Sequence, residues 1–468
     1  VPTWHQWTRN PLTLLATTSG LLAISVGALS GAQPRLGILT ALGVIFVGLV
    51  LTNLFIGFAA MVMFAYLEVL SVVGGVSLAK VAGALIVVAW VATASTSGRR
   101  ERNFFAERPG LTYLVLAFLA WNAISFAWSG SHSDVLSSVM RYTLDAFLLP
   151  IAFTAVRDRR DAIRILAVIV AGATVAAVSA IASPPPPESA VFGRATGTVG
   201  DPNELAAVLV VGLAIAVAFV VNRHISTPLR ALSGISAALC LSGILLSLSR
   251  GGLIATACAL LVAVAVGGRW RGRVLALCGT LAIMAVGYFA LIASLPAKQR
   301  VLDVGSGGGT GRLDLWTVGL RMIDAHPLNG VGSGQFALSS VHYLLRPGLI
   351  QSGAFILSTP KVAHNTYINI AAELGLVGGV LFVGILLFCV GCALRAVQLV
   401  RRAGDESLEI LFRGVIVAIG GYLAALLFLS ENYSKLLWIL LALGPVMLAV
   451  AGSLDRRTRE RAGTAVPP

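Results

Sequence analysis

The stretch KVAHNTYINIAAELGLVGGVLF, residues 361–382, opens on Lys361, His364 and Asn365 and passes without a break into a run apolar enough for lipid. A membrane helix takes about 20 mostly apolar residues, because the hydrocarbon offers no water to satisfy backbone polar groups. The rest of the chain is of the same kind: 57% of its 468 residues are hydrophobic, 12% are charged, and the mean hydropathy is +0.89. That excludes an ordinary water-soluble enzyme. The expectation is an all-α polytopic membrane protein, one integral membrane domain over 1–468, with 12–14 transmembrane helices.

Working outward, apolar runs fall at 13–31, 36–52, 54–73, 77–95, 111–128, 141–156, 163–182, 204–222, 229–248, 251–267, 273–294, 366–392, 410–429 and 434–452. Only Thr52-Asn53 divides the second from the third, so 36–73 reads either as a hairpin or as a span followed by a re-entrant or interfacial piece. The first run starts well inside the chain and reads as an ordinary membrane helix rather than a signal segment.

Lys and Arg in short loops set orientation. Alternate loops hold SGRRERNFFAERPG, RDRRDAIR, NRHISTPLR, GGRWRGR and LRAVQLVRRAGDESLEILFR, followed by the tail DRRTRERAG. These segments take most of the 34 basic residues and are expected in the cytoplasm, with both termini and the 453–468 tail. The net charge of +14 is then largely topological, answered by anionic membrane lipids. No basic soluble module or aromatic-basic platform points to nucleic acid. Cys240, Cys258, Cys278, Cys389 and Cys392 all fall inside apolar runs and read as small apolar filler, with neither disulfide nor zinc spacing.

The outward segments are uneven, and 295–365 forms a large loop of the functional size class. Within it RLDLWTVGLRMIDAHP carries Leu313, Trp316, Leu320 and Ile323 at helical spacing. This predicts an amphipathic helix, lying on the outer interface with Trp316 at headgroup depth or packing on the bundle. The GSGGGTGR that precedes it lacks the ending of a phosphate-binding P-loop.

Four polar features share the outward side: Arg194 with Asp201-Pro202-Asn203-Glu204; Arg250 in LSLSRGG; Arg312; and His364-Asn365. Asp201, Pro202 and Glu204 have the spacing of a capping box, which leaves Asn203 unexplained. Arg250 sits between two apolar runs, either snorkelling to headgroups or serving a site. Arginines beside a lipid-accessible cavity suit a diphosphate, since planar guanidinium forks hold phosphate oxygens bidentately. A neutral imidazole at His364 accepts a proton near pH 7, and neighbouring cations favour that neutral form. No local His, Asp or Glu spacing suggests a metal, and no cofactor is expected.

HNTYINIAAELGLVGGVLF (364–382) resembles the signature of the O-antigen ligase and polymerase superfamily, a His-Asn at a helix mouth followed by Gly-Leu-x-Gly. GRATGTVGDPNELA (193–206), LSLSRGGLIA (246–255) and TGRLDLWTVGLRMIDAHPLNGVGSGQF (310–336) resemble its other blocks in the same order. The resemblance implies a GT-C-like glycosyltransferase in the bacterial inner membrane. Such an enzyme moves a glycan from an undecaprenyl-diphosphate carrier to an acceptor hydroxyl on the periplasmic face, without a metal and with inversion. The acceptor is lipid A-core, another glycan or another envelope molecule. By motif position His364 is the base, and Arg250 and Arg312 hold the diphosphate with Arg194 assisting. Asp201, Asn203 and Asn365 support them. A polymerase joining carrier-linked repeat units is the alternative. A transporter or flippase is disfavoured because ionisable residues cluster at the helix margins rather than at the bilayer midplane.

Overall fold

A computed structural model of the chain describes residues 34–68, 78–96, 102–183, 193–293, 295, 298, 311–344 and 361–464. No β-strand occurs among the described residues. The principal helices are α1 (Pro34–Thr52), α2 (Leu54–Phe64), α3 (Leu78–Thr96), α4 (Pro109–Ile124), α5 (His132–Ala146), α6 (Leu148–Ala155), α7 (Arg159–Ala182) and α8 (Pro202–Val221). They continue with α9 (Thr227–Leu246), α10 (Arg250–Val266), α11 (Arg271–Gly287), α12 (Arg312–Ala325), α13 (Phe336–Leu344), α14 (Thr366–Arg402), α15 (Glu406–Ala425) and α16 (Lys435–Thr464). Nine helical segments among the described residues are long and apolar enough to cross a membrane, so the chain is an all-α, multi-pass membrane protein. The apolar runs named above fall on helices, except that 13–31 and 69–73 lie outside the described residues and the helix in 54–73 ends at Phe64.

The ambiguous 36–73 stretch resolves at Asn53. Its side chain accepts from the amides of Phe55 and Ile56, starting α2 afresh after α1 ends. At 1.5 Å per residue the 11 residues of α2 span only about 16 Å, too short to cross. Over the described residues up to 68, the stretch is a long helix followed by a short one.

With little hydrophobic drive between helices in lipid, close packing of small residues holds such bundles. Here α8 is central, packed on α7, α9, α10 and α15. A Cβ added to Gly212 would come within 2.1 Å of the Ala173 Cβ, and one on Gly252 within 2.3 Å of the Ala206 Cβ, so glycine permits both crossings. Outward faces stay apolar: Ile283, Val286 and Leu291 on and just past α11 are largely exposed. Cys240, Cys389 and Cys392 are free thiols buried in the bundle.

The Arg-dense segments gather at one end. Arg159 meets Asp405 at 2.6 Å, Arg269 meets Glu406 and Glu409 at 3.2 and 3.4 Å, and Arg413 meets Glu409 at 2.6 Å. Asn222 donates to the carbonyl and hydroxyl of Ser407 at 3.0 Å, fastening the end of α8 to the start of α15. Asp201 begins the same 20-residue α8, about 30 Å away. The motif residues lie at that far end.

The long α14 is broken at Gly375, whose φ of 67° and ψ of −173° leave the helix. A break frees backbone groups that must be satisfied elsewhere. Residues 327–336, PLNGVGSGQF, do this: Val331 and Gly332 donate to the carbonyls of Ala372 and Glu373, and the amide of Leu376 donates to the carbonyl of Pro327. Trp121 caps the Leu374 carbonyl at 2.8 Å. The Glu373 carboxylate accepts from the amides of Gly334 and Phe336 at 3.0 and 3.2 Å. A Cβ on Gly375 would strike the Leu328 carbonyl oxygen at 2.1 Å, so the glycine is needed for both its φ and its space. The sequence shows one uninterrupted apolar run here, whereas the structure shows a break clamped by a loop some 40 residues upstream.

Candidate functional site

Each motif residue sits at or beside a helix start. Asp201 caps α8, accepting from the amides of Asn203 at 2.7 Å and Glu204 at 3.1 Å. The expected capping box is only half made. The carboxyl of Glu204 is hydrogen-bonded to that of Glu431 instead of turning back to residue 201. Asn203, which capping leaves unexplained, is a junction: its Oδ1 accepts from Arg194 at 3.0 Å and from the hydroxyl of Ser249 at 2.9 Å. Ser249 in turn caps α10 through the amide of Gly252. Arg194 also donates to the carbonyl of Ser247 at 3.0 Å. One polar knot thus fixes the turn that delivers Arg250.

Arg250 and Arg312 are the first residues of α10 and α12. A helix start carries the positive end of the backbone dipole and presents unpaired N–H groups, which stabilise anions. An arginine placed there adds a second positive field to the first. In α12 the buried face is Leu315, Val318, Gly319 and Met322, while Leu313 and Leu320 are 58% and 57% exposed. Of the expected stripe, Leu313 and Leu320 face outward, whereas Trp316 packs against Phe428 and Ile323 against the small core cluster around Leu315, Val318 and Met322. The helix thus packs on the bundle through its buried face and these two flanking residues, close enough that a Cβ on Gly319 would lie 2.4 Å from Ile368.

His364 has φ of +47° and Asn365 caps α14, accepting from the amides of Tyr367 and Ile368 at 3.0 and 3.1 Å. Leu248, two residues before Arg250, is the other non-glycine residue at positive φ among the described residues. Side chains pay of order 1 kcal/mol or more for this conformation, and such strain gathers at functional positions. The basicity of His364 is lowered, first by burial and then by the positive charge of Arg312, with Lys361 adding to it and Asp201 opposing it. His364, Arg312 and Asp201 therefore share one electrostatic neighbourhood.

The segment LLFLSENYSK (426–435), which spans the four-residue gap between the runs 410–429 and 434–452, assembles the site. Phe428 packs against Gly251, where an added Cβ would come within 2.9 Å, and its ring lies 6.3 Å from that of Trp316. Thr366, two residues after His364, donates its hydroxyl to Leu429 at 2.7 Å and accepts from the amide of Glu431 at 2.9 Å. This one connection touches the starts of α10, α12 and α14. Its signal in the sequence is the polar string Ser430-Glu431-Asn432 between apolar runs on the same side as His364. Burial and the nearby Glu204 carboxyl push Glu431 well above the ordinary carboxylate range, so the two share a proton.

The structure thus gathers His364, Asn365, Arg312, Asp201, Asn203, Arg194 and Arg250 at one end of the bundle. Asp201, Asn203, Asn365 and Arg194 hold the backbone in place there.

Among solved structures, a chain from "Structural coordination of polymerization and crosslinking by a peptidoglycan synthase complex" is 15% identical, with a TM-score of 0.40 over 72% of this chain and 96% of that one. That likeness is too loose to argue from. No curated protein matches the chain. Residues 235–383, which include Arg250, Arg312 and His364, match the O-antigen ligase family. That segment, roughly a third of the chain's length, is what the chain has in common with the O-antigen ligase family.

Proposed function

We propose that this membrane glycosyltransferase of the cell envelope transfers a glycan from an undecaprenyl-diphosphate carrier to an acceptor hydroxyl, at the periplasmic face of the inner membrane. The observation that carries the reading is His364, held at positive φ with its basicity lowered, in the field of an arginine that starts a helix. Its imidazole is neutral at pH 7 and takes the proton of the acceptor hydroxyl. The acceptor oxygen bonds to the anomeric carbon from the face opposite the carrier, inverting it. The bond from that carbon to the carrier's phosphate oxygen breaks, and its electron pair leaves with the diphosphate.

Arg250 and Arg312, with the α10 and α12 N-termini behind them, stabilise the charge that develops on the leaving group. Fixed cations supply what a metal supplies elsewhere. Arg194 acts through the Asn203–Ser249 junction, holding the α10 turn, and is a positioning residue. The Arg-dense opposite end then faces the cytoplasm.

The test is His364→Asn, chosen because asparagine tolerates the same backbone conformation. Loss of about 100-fold or more in transfer, the usual worth of a general base, is expected while carrier binding persists. Undiminished transfer by the purified variant would overturn the assignment. The length of product from one defined donor then distinguishes ligation, a single transfer, from polymerisation.

A further inference from the structure

Beside the His364 segment lies a half-enclosed cleft of about 300 Å³. Other cavities in the bundle, one between α8, α10, α11 and α15 and one between α7 and α9, have walls that are largely aliphatic. This one is walled by Asp134, Ser137 and Arg141 of α5, Glu373 of α14, and Asn432 and Tyr433 of the 426–435 segment. Val362 and Asn369 also border it, and the Asn369 side chain accepts from the amide of Ala363 at 3.4 Å. Val362 stands two residues before His364 in the chain and Asn369 five after it.

The wall is built rather than incidental. Asn432 donates to the Tyr142 hydroxyl at 2.7 Å, the Tyr433 hydroxyl donates to Ser138 at 2.9 Å, and the Arg141 guanidinium stands 5.5 Å over the Tyr433 ring. Glu373 is fixed by the two amides of the glycine loop. These contacts hold planar polar groups and an aromatic ring in set positions before any ligand arrives.

We infer that this cleft binds the acceptor: a neutral, polyhydroxylated sugar ring whose free hydroxyl is directed at His364. The inference rests on the glycosyl-transfer reading and gives its second substrate a place. One guanidinium set against two carboxyl groups does not suit a diphosphate. Carboxyl, amide and guanidinium edges together match the mixed donors and acceptors of sugar hydroxyls. The volume stands at the low end of the about 300–1,000 Å³ of small-molecule sites, in keeping with a short saccharide portion. Phe428 faces the helices of Arg250 and Arg312, while Ser430, Asn432 and Tyr433 of the same segment face the cleft. Donor and acceptor chemistries are thereby divided along one connection.

Full-length protein in nanodiscs tests this directly. Ser137→Cys puts a thiol on the exposed rim, and its labelling by an impermeant maleimide is followed against the unsubstituted protein as background. Methyl glycosides of common hexoses are expected to slow labelling, and inorganic diphosphate is not. Protection by diphosphate, or by none of the glycosides, overturns the inference. Because this readout needs no turnover, its failure is distinct from failure of the His364 assignment. In the transfer assay Asp134→Asn should raise the acceptor KM by about tenfold, the loss of one strong hydrogen bond, with the donor KM unchanged. A rise in donor KM instead assigns the cleft to the donor's sugars and also overturns it.

Discussion

The two ends of the bundle arrange their charges differently. At the Arg-dense end cations meet carboxylates: Arg413 is clasped by the buried Glu409 and stands 5.6 Å over Trp270, Arg269 reaches Glu406 and Glu409, and Arg159 holds Asp405. At the His364 end the ion pairing is looser, with Lys435 3.7 Å from Glu68, while two carboxyls, Glu204 and Glu431, hold each other and Arg194 donates to the neutral oxygens of Ser247 and Asn203. Matched ions at the first end fasten helices together. At the second, two helix starts with an arginine on each bring the positive ends of two backbone dipoles together, an arrangement that favours an anion. The same residue type is thus structural at one end and, on the reading proposed above, functional at the other.

The contrast breaks most visibly in the matched end. Glu409→Gln leaves the half-buried Arg413 without its carboxylate, and removing one partner of a fully buried pair costs about 3–5 kcal/mol, an upper bound here. A large fall in thermal stability is expected, measured by unfolding in detergent, with the donor KM of the surviving folded fraction unaltered. A changed donor KM would show that this end is coupled to the site. At the other end Arg250→Lys and Arg312→Lys should leave the unfolding midpoint near that of the parent while weakening donor use. Each should raise the donor KM by about tenfold, because ammonium cannot reproduce a bidentate guanidinium–phosphate contact. If lysine serves as well as arginine, the sites supply charge alone and the fork geometry is irrelevant.

Much of this was legible in the chain because lipid enforces a simple rule: a backbone without water must be helical, so apolar runs mark helices. The positions of His364, Arg250 and Arg312 at helix starts follow from the polar residues that border those runs. What hydropathy hides are contacts between distant segments. Gly375 looks like one more glycine in an apolar run, and its break depends on PLNGVGSGQF supplying hydrogen bonds from elsewhere. Glu204 has the spacing of a capping box, yet its partner is Glu431, more than 200 residues on. Leu313 and Leu320 share helical spacing with Trp316, but the face that packs is the one carrying Leu315, Val318 and Met322. In each case the local pattern is satisfied in two ways and tertiary packing chooses.

The smallest effect, and the sharpest test of the comparison, is in pH. His364 is held below its ordinary value of 6.5, mainly by burial and then by Arg312. A base with a lowered value stays neutral to lower pH, so the acidic limb of the transfer profile should have its midpoint below 6.5. Removing the Arg312 charge by Arg312→Gln should move that midpoint upward but short of 6.5, since burial remains. Glu431 gives the opposite signature in stability. Its folded-state value lies above the unfolded one, so the folded protein holds a proton that the unfolded chain gives up. The contribution is complete below the unfolded value of about 4.5 and is lost as pH rises through the folded one. Glu431→Gln should therefore flatten the fall in unfolding midpoint with rising pH and leave the acidic limb of transfer where it was. An acidic limb that followed Glu431 rather than Arg312 would move the proton acceptor from the imidazole to the carboxyl pair.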